Sequence, residues 1–422
     1  MIDLKKFRAN PEQYIKATSD KQFSIDFDTF QKLDKEVLEL KAKLEALLAE
    51  RNTLTKEFEN AKKSGQNGDD ILNKVKWLKW DIETLQKQHD EKYTAFNEIY
   101  LRIPNIVLEG VPYGETDEKN VEIELVGEKR SFSFQPKAHR EILEARNMLD
   151  SERAVKISGS RFIILRDGMV MLEMALIHYA LQKLYAKGWS PAIVPTMVRR
   201  DALLNTGFVP YGEDQIYKIQ NDEENNSLYL VGTSEVPLVA QHSDEVFTAD
   251  QLPKRYVGFS QCYRQEAGTY GKDARGMIRL HQFEKVEMVS FCKPEDSEKE
   301  HELILAIEEE VYKELGIPYR KLFICTGDLG VPAAKKYDLE AWFPGQNGYK
   351  EITSCSNCTD FQTRRANIKY KTDEGREFVH SLNGTVVASS RVLAAIVENY
   401  QQEDGSIIVP EVLRKRVGKD VI

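Results

Sequence analysis

Apolar residues recur at alternating intervals of four and three positions along the first hundred residues. This spacing predicts helices that wind around each other as a left-handed coiled coil. Two glycines, Gly65 and Gly68, interrupt the pattern within residues 64–69 and predict a turn. We therefore expect two helices of about 35 residues that form an antiparallel hairpin ending at Pro104. The seam positions are Leu33, Val37, Leu40, Leu44, Leu47, Arg51, Leu54, Phe58 and Ala61, then Ile71, Val75, Leu78, Ile82, Leu85, His89, Lys92, Phe96, Ile99 and Ile103.

The pattern changes after the hairpin. Residues 104–120 combine prolines, glycines and acidic side chains, which is typical of a linker. Beyond them the sequence predicts a helix over residues 169–187. It also predicts short strands at 192–195, 228–231, 256–259, 283–289 and 322–325.

The irregular connections between these strands favour an antiparallel sheet covered by helices over a doubly wound parallel sheet. The expected fold class is α+β. We expect a helical hairpin over residues 1–103, a linker over 104–120 and a second domain over 121–422.

The composition and net charge of the chain do not identify its binding partners. The 422-residue chain has a formal net charge of −9, but residues 1–103 contain 19 basic and 19 acidic side chains, so the rest carries the whole excess. The total charge therefore does not decide whether the chain binds nucleic acid. Five cysteines do not indicate a disulfide framework. The sequence contains neither a signal peptide nor a run of roughly 18 apolar residues, so we expect a cytoplasmic protein without membrane contact.

Residues 259–288 combine basic, acidic and aromatic side chains within one short segment. They predict a strand, a loop and a second strand, and the two strands carry Arg264, Glu266, Phe283 and Glu287. Such a hairpin offers a phosphate-binding cation, two carboxylates and an aromatic platform. A solvated charged hairpin is the alternative that this pattern alone leaves open. The loop between the strands is rich in basic residues and glycine: Gly271, Lys272, Arg275, Gly276 and Arg279.

Two further segments carry candidate chemistry. Residues 383–393 run from a predicted strand into a helix, with small residues around Arg391. Cys355 and Cys358 form a single C-x-x-C, but a zinc site needs two more ligands close by and the other cysteines are scattered. Two small residues of an ordered segment are the favoured interpretation, and we expect no zinc. The sequence has neither a P-loop nor a G-x-G-x-x-G fingerprint.

At this point several segments resemble one family. Tyr263, Arg264, Glu266, Ala267 and Gly268, followed by residues 281–287, resemble motif 2 of the class II aminoacyl-tRNA synthetases. Residues 383–391 resemble motif 3, and residues 188–195 resemble motif 1, whose proline lies at a dimer interface. Within the class, the helical hairpin and the segments 155–162, 232–235 and 351–358 resemble the bacterial-type seryl-tRNA synthetases, over residues 1 to about 415.

The resemblance implies a ligase reaction. Serine would be activated with ATP to seryl-adenylate and pyrophosphate, and the seryl group would then pass to the 3′ end of tRNA(Ser), and to tRNA(Sec) where that tRNA exists. ATP would be a substrate, Mg²⁺ the accompanying ion, and the enzyme a homodimer. The implied catalytic residues are Arg264 on the α-phosphate, Arg391 on the γ-phosphate and Glu351 on ATP and Mg²⁺.

The resemblance also implies the binding residues. Phe283 would stack on adenine, and Glu287 would pair with the ammonium group of serine. The full ATP set implied is Arg264, Gln265, Glu266, Leu280, Phe283, Glu351, Ile352, Thr353, Ser354 and Arg391. The implied serine set is Thr233, Ser234, Glu235, Glu287 and Thr385.

The family's helical hairpin lies across the long variable arm of the tRNA. Five lysines cluster near the predicted turn, and we expect them to bind the tRNA backbone. The alternative for each of them is an ordinary solvent-exposed side chain without a partner in the tRNA. These lysines are Lys62, Lys63, Lys74, Lys76 and Lys79. Gln265 and the pair Ser389 and Ser390 depart from residues common in the family. Two rival functions remain: a paralogue that activates an amino acid for a carrier protein, and an inactive nucleic-acid-binding scaffold.

Overall fold

The computed structural model describes residues 1–65, 67–220, 227–268 and 276–422. The chain divides into two compact units: Ser24–Ile103 forms the smaller one, and Met1–Phe23 together with Pro104–Ile422 forms the larger one. Within the described ranges, no helix is both long and apolar enough to cross a membrane.

The helices are α1 (Leu4–Ala9), α2 (Pro11–Asp20), α3 (Phe27–Lys63), α4 (Asp69–Tyr100), α5 (His139–Ala145), α6 (Ser151–Ser158), α7 (Gly168–Ala186), α8 (Arg200–Thr206), α9 (Glu235–Ala240), α10 (Ser297–Leu315), α11 (Phe361–Arg365), α12 (Ser389–Tyr400) and α13 (Glu411–Val417).

The strands are β1 (Val121–Val126), β2 (Leu149–Asp150), β3 (Ile164–Leu165), β4 (Ser190–Ile193), β5 (Met197–Arg199), β6 (Lys218–Ile219), β7 (Leu228–Leu230), β8 (Val246–Phe247), β9 (Lys254–Tyr263), β10 (Gln282–Cys292), β11 (Tyr319–Phe323), β12 (Lys335–Phe343), β13 (Gly348–Asn357), β14 (Lys369–Thr372), β15 (Gly375–Phe378) and β16 (His380–Ala388).

The smaller unit is the predicted hairpin of two long helices, α3 and α4. The carboxylate of Asp26 caps α3 by accepting the Thr29 N–H at 2.9 Å. The seam positions are buried or half-buried along both helices, apart from Lys92, which is exposed. Lys92 extends across the hairpin to Glu36, with its Nζ 2.7 Å from the carboxylate. The coiled-coil prediction is confirmed, while Gln66 of the predicted turn lies outside the described residues.

Aromatic packing closes the end of the hairpin opposite the turn. Phe30 of α3 stacks on Phe96 of α4 with ring centroids 5.0 Å apart. Tyr100, which the 3.5-residue spacing passes over, is buried and stacks on Phe96 at 5.4 Å. Large stacked rings of this kind contribute more than their buried area alone.

The larger unit is built on an eight-stranded sheet in the order β1-β11-β12-β13-β16-β10-β9-β4. Neighbouring strands are antiparallel except β4 and β9, which run parallel. The predicted antiparallel sheet is therefore confirmed. Two predicted strands differ in detail. β7 belongs to a separate three-stranded sheet, and β11 ends at Phe323 because Ile324 and Cys325 lead into a 3₁₀ turn.

Helices α7, α10 and α12 bury their apolar sides in one core with the sheet. Leu172, Ile304, Leu393 and Ile396 are fully buried there. Burying a side chain of this size contributes about 1.5–3 kcal/mol relative to leaving it exposed. The predicted helix over 169–187 is α7, and the predicted strand-to-helix segment at 383–393 is the junction of β16 and α12.

The segments on either side of the hairpin pack onto the larger unit. The backbone of Asn105 donates to the carbonyl of Val331 at 2.9 Å, and its side chain donates to Cys358 and Thr359. Phe7, Tyr14 and Ala17 of the N-terminal segment are buried. Residues 1–23, which the sequence grouped with the hairpin, thus cluster with the larger unit. The division into a helical hairpin, a linker and a second domain, with boundaries at residues 103 and 120, stays a prediction.

Candidate active site

A cavity of about 420 Å³ opens on one face of the large sheet, beside β10, β13 and β16. Both predicted substrate sets contribute to its wall. The sequence-predicted residues that line it are Thr233, Glu235, Arg264, Glu266, Leu280, Phe283, Glu287, Glu351, Ile352, Thr353, Ser354, Thr385 and Arg391.

Two predicted site residues do not line this cavity. The hydroxyl of Ser234 is buried and donates to the carbonyl of Gly258 at 3.3 Å. The amide of Gln265 donates to the carbonyl of Ile216 at 2.7 Å. Both residues adjoin cavity residues along the chain, and their predicted contacts with serine and ATP stay predictions.

Strand register explains why distant residues meet here. Phe283, Lys285 and Glu287 alternate along β10, so they point to the same face of the sheet. β16 pairs with β10 so that Thr385 lies opposite Glu287, after a shift in register between Val286 and Glu287. The strand-to-helix junction after β16 then places Arg391 on the first turn of α12.

Two buried carboxylates, those of Glu287 and Glu235, belong to the wall of the cavity. Glu287 is 2% exposed; its Oε2 accepts a hydrogen bond from the Thr385 hydroxyl at 3.0 Å and lies 2.6 Å from the Lys285 Nζ. Glu235 accepts the side-chain amide of Asn383 at 3.0 Å. Burial, and after it the nearby Glu287 carboxylate, raises the pKa of Glu235 to about 7. These carboxylates therefore favour a cationic group.

The cavity wall also presents guanidinium groups. Arg264 donates through Nε and Nη2 to the carbonyl of Gly232, at 3.3 and 3.2 Å, and its Cζ lies 5.4 Å from the centre of the Phe283 ring. Arg391 Nη1 lies 3.2 Å from the Glu351 carboxylate. Planar cations of this kind match the geometry of phosphate oxygens. The arrangement suits a ligand with an anionic chain and an aromatic base.

Glu351 offers carboxylate oxygens beside Arg391. Burial opposes ionisation of Glu351, but Arg391 and Lys336 outweigh it and hold the pKa of the carboxyl below its ordinary value. Mg²⁺ takes one or two carboxylates and fills its other positions with water and phosphate oxygens. Glu351 fits that requirement. Among the described residues, no group of three or more His, Cys, Asp or Glu side chains could hold a metal by itself.

Sequence reasoning gave no site role to five charged or polar residues of the cavity: Arg279, Lys285, Lys336, Asn383 and Ser390. Lys285 could have been found, because it shares the two-residue alternation of Phe283 and Glu287. Lys336 lies on β12, a strand that the sequence did not predict. Arg279 belongs to the basic loop and lies 3.1 Å from Glu266. The other basic residues of that loop, Lys272 and Arg275, and also Gly271, lie outside the described residues.

The two cysteines of the C-x-x-C are buried. Cys355 Sγ lies 3.7 Å from the carbonyl of His301, and Cys358 Sγ accepts the side-chain amide of Asn383 at 3.6 Å. Burial raises the pKa of both thiols well above its ordinary value. The pair therefore packs as small side chains behind the cavity.

The five lysines assigned to tRNA lie on the smaller unit. Lys62 and Lys63 end α3, and Lys74, Lys76 and Lys79 lie in the first turns of α4. All five are exposed, and the Nζ of Lys79 is 3.8 Å from the carboxylate of Glu83.

Two segments of the chain match known protein families. Residues 217–400 match the tRNA synthetase class II core domain (G, H, P, S and T), and residues 1–107 match the seryl-tRNA synthetase N-terminal domain. The serine–tRNA ligase of Thermodesulfovibrio yellowstonii is 43% identical over 427 residues and covers 100% of both chains. That of Exiguobacterium sibiricum is 42% identical and covers 99% of this chain and 98% of its own.

Solved structures give the same result. Seryl-tRNA synthetase from Pyrococcus horikoshii, complexed with ATP, is 39% identical and superposes with a TM-score of 0.89, covering 100% of this chain and 99% of its own. The cytoplasmic serine–tRNA ligase of Naegleria fowleri, in complex with AMP, is 30% identical with a TM-score of 0.86, covering 100% and 98%.

Proposed function

The chain belongs to the seryl-tRNA synthetase family of class II aminoacyl-tRNA synthetases, and from this premise we propose that it activates serine with ATP and transfers it to tRNA. The observation that carries the proposal is one cavity whose wall combines the buried carboxylate of Glu287 with the guanidinium groups of Arg264 and Arg391. The carboxylate suits an amino acid ammonium, and the guanidinium groups suit a triphosphate.

The first step joins serine to AMP. An oxygen of the serine carboxylate attacks the α-phosphorus of ATP, the bond to the β-phosphate oxygen breaks, and pyrophosphate leaves. No proton transfer is required, so the protein contributes alignment and charge stabilisation. In the second step, a ribose hydroxyl at the tRNA 3′ end attacks the seryl carbonyl, the bond from that carbonyl carbon to the phosphate oxygen breaks, AMP leaves, and the hydroxyl proton is released to solvent.

Arg264 holds the α-phosphate and Arg391 the γ-phosphate in this proposal. Both guanidinium groups line the cavity, and each already donates hydrogen bonds to backbone carbonyls that fix its orientation. Charge that develops on the phosphate oxygens then meets cations that need little reorganisation. Phe283 stacks on adenine, and Leu280 with the backbone of residues 264–266 frames the base.

Glu287 pairs with the ammonium group of serine. Thr233, Ser234, Glu235 and Thr385 surround the amino acid. A pocket built to pair with a hydroxyl rejects alanine, because an unpaired buried polar group is costly. The support is the buried hydrogen bond between Thr385 and Glu287 and the amide donors around Glu235.

Mg²⁺ accompanies ATP, with Glu351 as its protein ligand and Ser354 beside it. When bound, the ion neutralises charge on the phosphate oxygens. The chain's own contribution is to keep Glu351 ionised, which Arg391 and Lys336 do.

The helical hairpin binds the tRNA. Lys62, Lys63, Lys74, Lys76 and Lys79 neutralise its backbone, and the partners are tRNA(Ser) and, where it exists, tRNA(Sec). The support is the match of residues 1–107 to the seryl-tRNA synthetase N-terminal domain and the exposure of all five lysines. The reaction proceeds in the cytoplasm, where ATP, serine and tRNA meet.

The enzyme acts as a homodimer. Exposed apolar side chains on α7 and β4 support this state: Met171, Met174 and Ile193, the last with 88% of its surface exposed. An apolar group of this kind favours a protein interface, and Ile193 lies within the segment 188–195 that resembles motif 1.

Serine-dependent ATP–pyrophosphate exchange tests the proposal. Exchange with serine, and not with alanine, threonine or cysteine at equal concentration, is the expected result. Absence of exchange with every amino acid would favour the inactive scaffold. Exchange without subsequent charging of tRNA would favour a paralogue that supplies a carrier protein.

A further inference from the structure

Two tryptophans of the helical hairpin are exposed to solvent. Trp77 and Trp80 of α4 expose 71% and 62% of their surfaces. They are three residues apart, so their side chains are neighbours on the helix surface. Leu78, between them in sequence, is buried in the seam. The tryptophans therefore lie on the side of α4 that faces away from α3.

Lysines share this side of the helix. At 100° per residue, Lys76, Trp77, Trp80 and Lys87 fall on one stripe, which we call the α4 outer face. All four are exposed. Lys74 and Lys79 flank the stripe, as do Asp81 and Glu83, so residues 73–87 have four basic and two acidic side chains. Exposed indole rings between ammonium groups have the chemistry of a surface that binds RNA.

We propose that the α4 outer face contacts exposed nucleotides of tRNA, with Trp77 and Trp80 packing on base or ribose faces and Lys76 and Lys87 pairing with the adjoining phosphates. The inference rests on the proposed function, which takes tRNA as the partner of the hairpin. It adds two apolar contacts to a binding mode that was assigned to lysines only.

The double variant Trp77→Ala/Trp80→Ala tests the pair. Alanine favours the helix and leaves the seam intact. The KM for tRNA in aminoacylation should rise about tenfold or more, since a stacked base is a substantial contact. Serine-dependent exchange should stay unchanged. The matched variant Trp77→Phe/Trp80→Phe keeps aromatic faces and should recover most of the affinity.

Tryptophan fluorescence gives a direct readout. Of the other tryptophans, Trp189 is buried and Trp342 lies beneath the Lys129 ammonium, 3.6 Å from its ring centre. Addition of tRNA should quench or shift the emission of the wild type, and the alanine double variant should lose that change.

The outcomes separate the two proposals. A tRNA KM within twofold of the wild type in the alanine variant, with normal exchange, overturns the tryptophan pair alone. A change in dimerisation instead of tRNA binding also overturns it, because the face would then cover a second copy. Absence of serine-dependent exchange in the wild type overturns the proposed function itself.

A separate observation concerns His139, a buried residue at the start of α5. Its Nε2 accepts the backbone N–H of Met277 at 3.0 Å, so Nδ1 carries the proton and donates to Glu398 Oε1 at 2.7 Å. Glu398 on α12 also accepts the backbone N–H of Gly345 at 2.9 Å. Gly276 has φ +93°, and a Cβ there would lie 2.4 Å from His139 Nε2. The imidazole thus fills a site that only glycine leaves open.

This contact is connected to the cavity residues that the proposed function assigns to ATP. Ile278, Arg279 and Leu280 follow Met277 and line the cavity. The carbonyl of Ile278 accepts Arg391 Nε at 3.4 Å. Arg391 and Glu398 both belong to α12, so the imidazole and Arg391 tie the same segment to one helix. We infer that His139 is a positioning residue, which sets residues 277–280 against ATP through its Nε2.

Two isosteric variants test this role. In His139→Asn the side-chain NH₂ replaces Nδ1–H and still reaches Glu398, but nothing accepts the Met277 N–H. In His139→Gln the side-chain carbonyl reaches the Nε2 position and still accepts it. The KM for ATP in exchange should rise about tenfold in His139→Asn and much less in His139→Gln, while the KM for serine changes little in both.

The ratio of the two variants' KM values for ATP tests the inference. A KM for ATP at least threefold higher in His139→Asn than in His139→Gln supports the positioning role. Similar KM values for ATP in both variants overturn the inference. Losses of exchange activity that simply parallel the fall in each variant's melting temperature also overturn it, because His139 would then be a packing residue. Arg376→Ala, at an exposed position of β15, serves as the control and should leave both KM values unchanged.

Discussion

The hydroxyl of Thr385 on β16 donates a hydrogen bond to the carboxylate of Glu287 on β10, at 3.0 Å. The two residues are 98 positions apart in the chain and lie opposite each other in the sheet. The bond orients a buried carboxylate toward the cavity, where an ammonium group can replace part of its lost hydration.

Removal of the Glu287 charge should therefore weaken serine binding. Glu287→Gln keeps the size of the side chain and should raise the KM for serine at least tenfold, while the KM for ATP changes less than threefold. Exchange kinetics with each substrate varied in turn measure the split. Equal changes in both constants would mean that Glu287 is only structural.

The two arginines should be required for adenylate formation. Arg264→Ala or Arg391→Ala should reduce kcat/KM in exchange by about 10²–10³-fold, the scale observed when an electrostatic stabiliser of a transition state is removed. Arg376→Ala, at an exposed position of β15, is the matched control and should leave exchange unchanged. Activity within tenfold of the wild type in either cavity variant contradicts the assignment.

Serine binding should release a proton near pH 7. The pKa of Glu235 is raised to about 7 by burial and by Glu287, so roughly half of these carboxyls are protonated at pH 7. The ammonium group of serine favours the ionised form and expels that proton. Calorimetric titrations in buffers of different ionisation enthalpy should detect the release at pH 7 and find it largely lost at pH 8, where Glu235 is already mostly ionised and the amino group of serine is still protonated.

The control for this titration is Glu235→Gln, which has no proton to release. Buffer-independent binding enthalpies for the wild type at pH 7 would show that Glu235 is already ionised without serine.

Charge reversal on the hairpin should affect tRNA alone. Replacement of Lys62, Lys63, Lys74 and Lys76 by Glu should raise the KM for tRNA and flatten its dependence on salt, since fewer counterions are released on binding. Exchange should be unaffected. Lys371→Glu with Lys419→Glu, both exposed in the larger unit, is the control. An unchanged tRNA KM in the hairpin variant would remove these lysines from the interface.

The helical hairpin could be predicted from the sequence because the burial of each seam position follows from the spacing of apolar residues close to it in the chain. Leu33, Leu44 and Leu78 of the predicted seam are all buried. The strand–loop–strand segment and the helix after β16 were likewise readable, since their signals lie within short windows. The resemblance to a family then supplied the site residues, most of which line one cavity.

The missing parts depend on contacts between distant segments. Lys336 joins the cavity because β12 lies two strands from β16, an order that no local pattern encodes. The hydrogen bond from Asn383 to Glu235 spans 148 positions. The packing of residues 1–23 on the larger unit depends on single contacts such as the one between buried Lys21 Nζ and the carbonyl of Ala333, at 2.6 Å.

The most direct test of the account is the charging of tRNA. Unfractionated tRNA is incubated with the enzyme, ATP, Mg²⁺ and each amino acid separately, and the charged tRNAs are then identified. The account predicts that serine alone is attached and that the charged species are tRNA(Ser), with tRNA(Sec) where present. Attachment of another amino acid, or serine exchange without any charged tRNA, would contradict it.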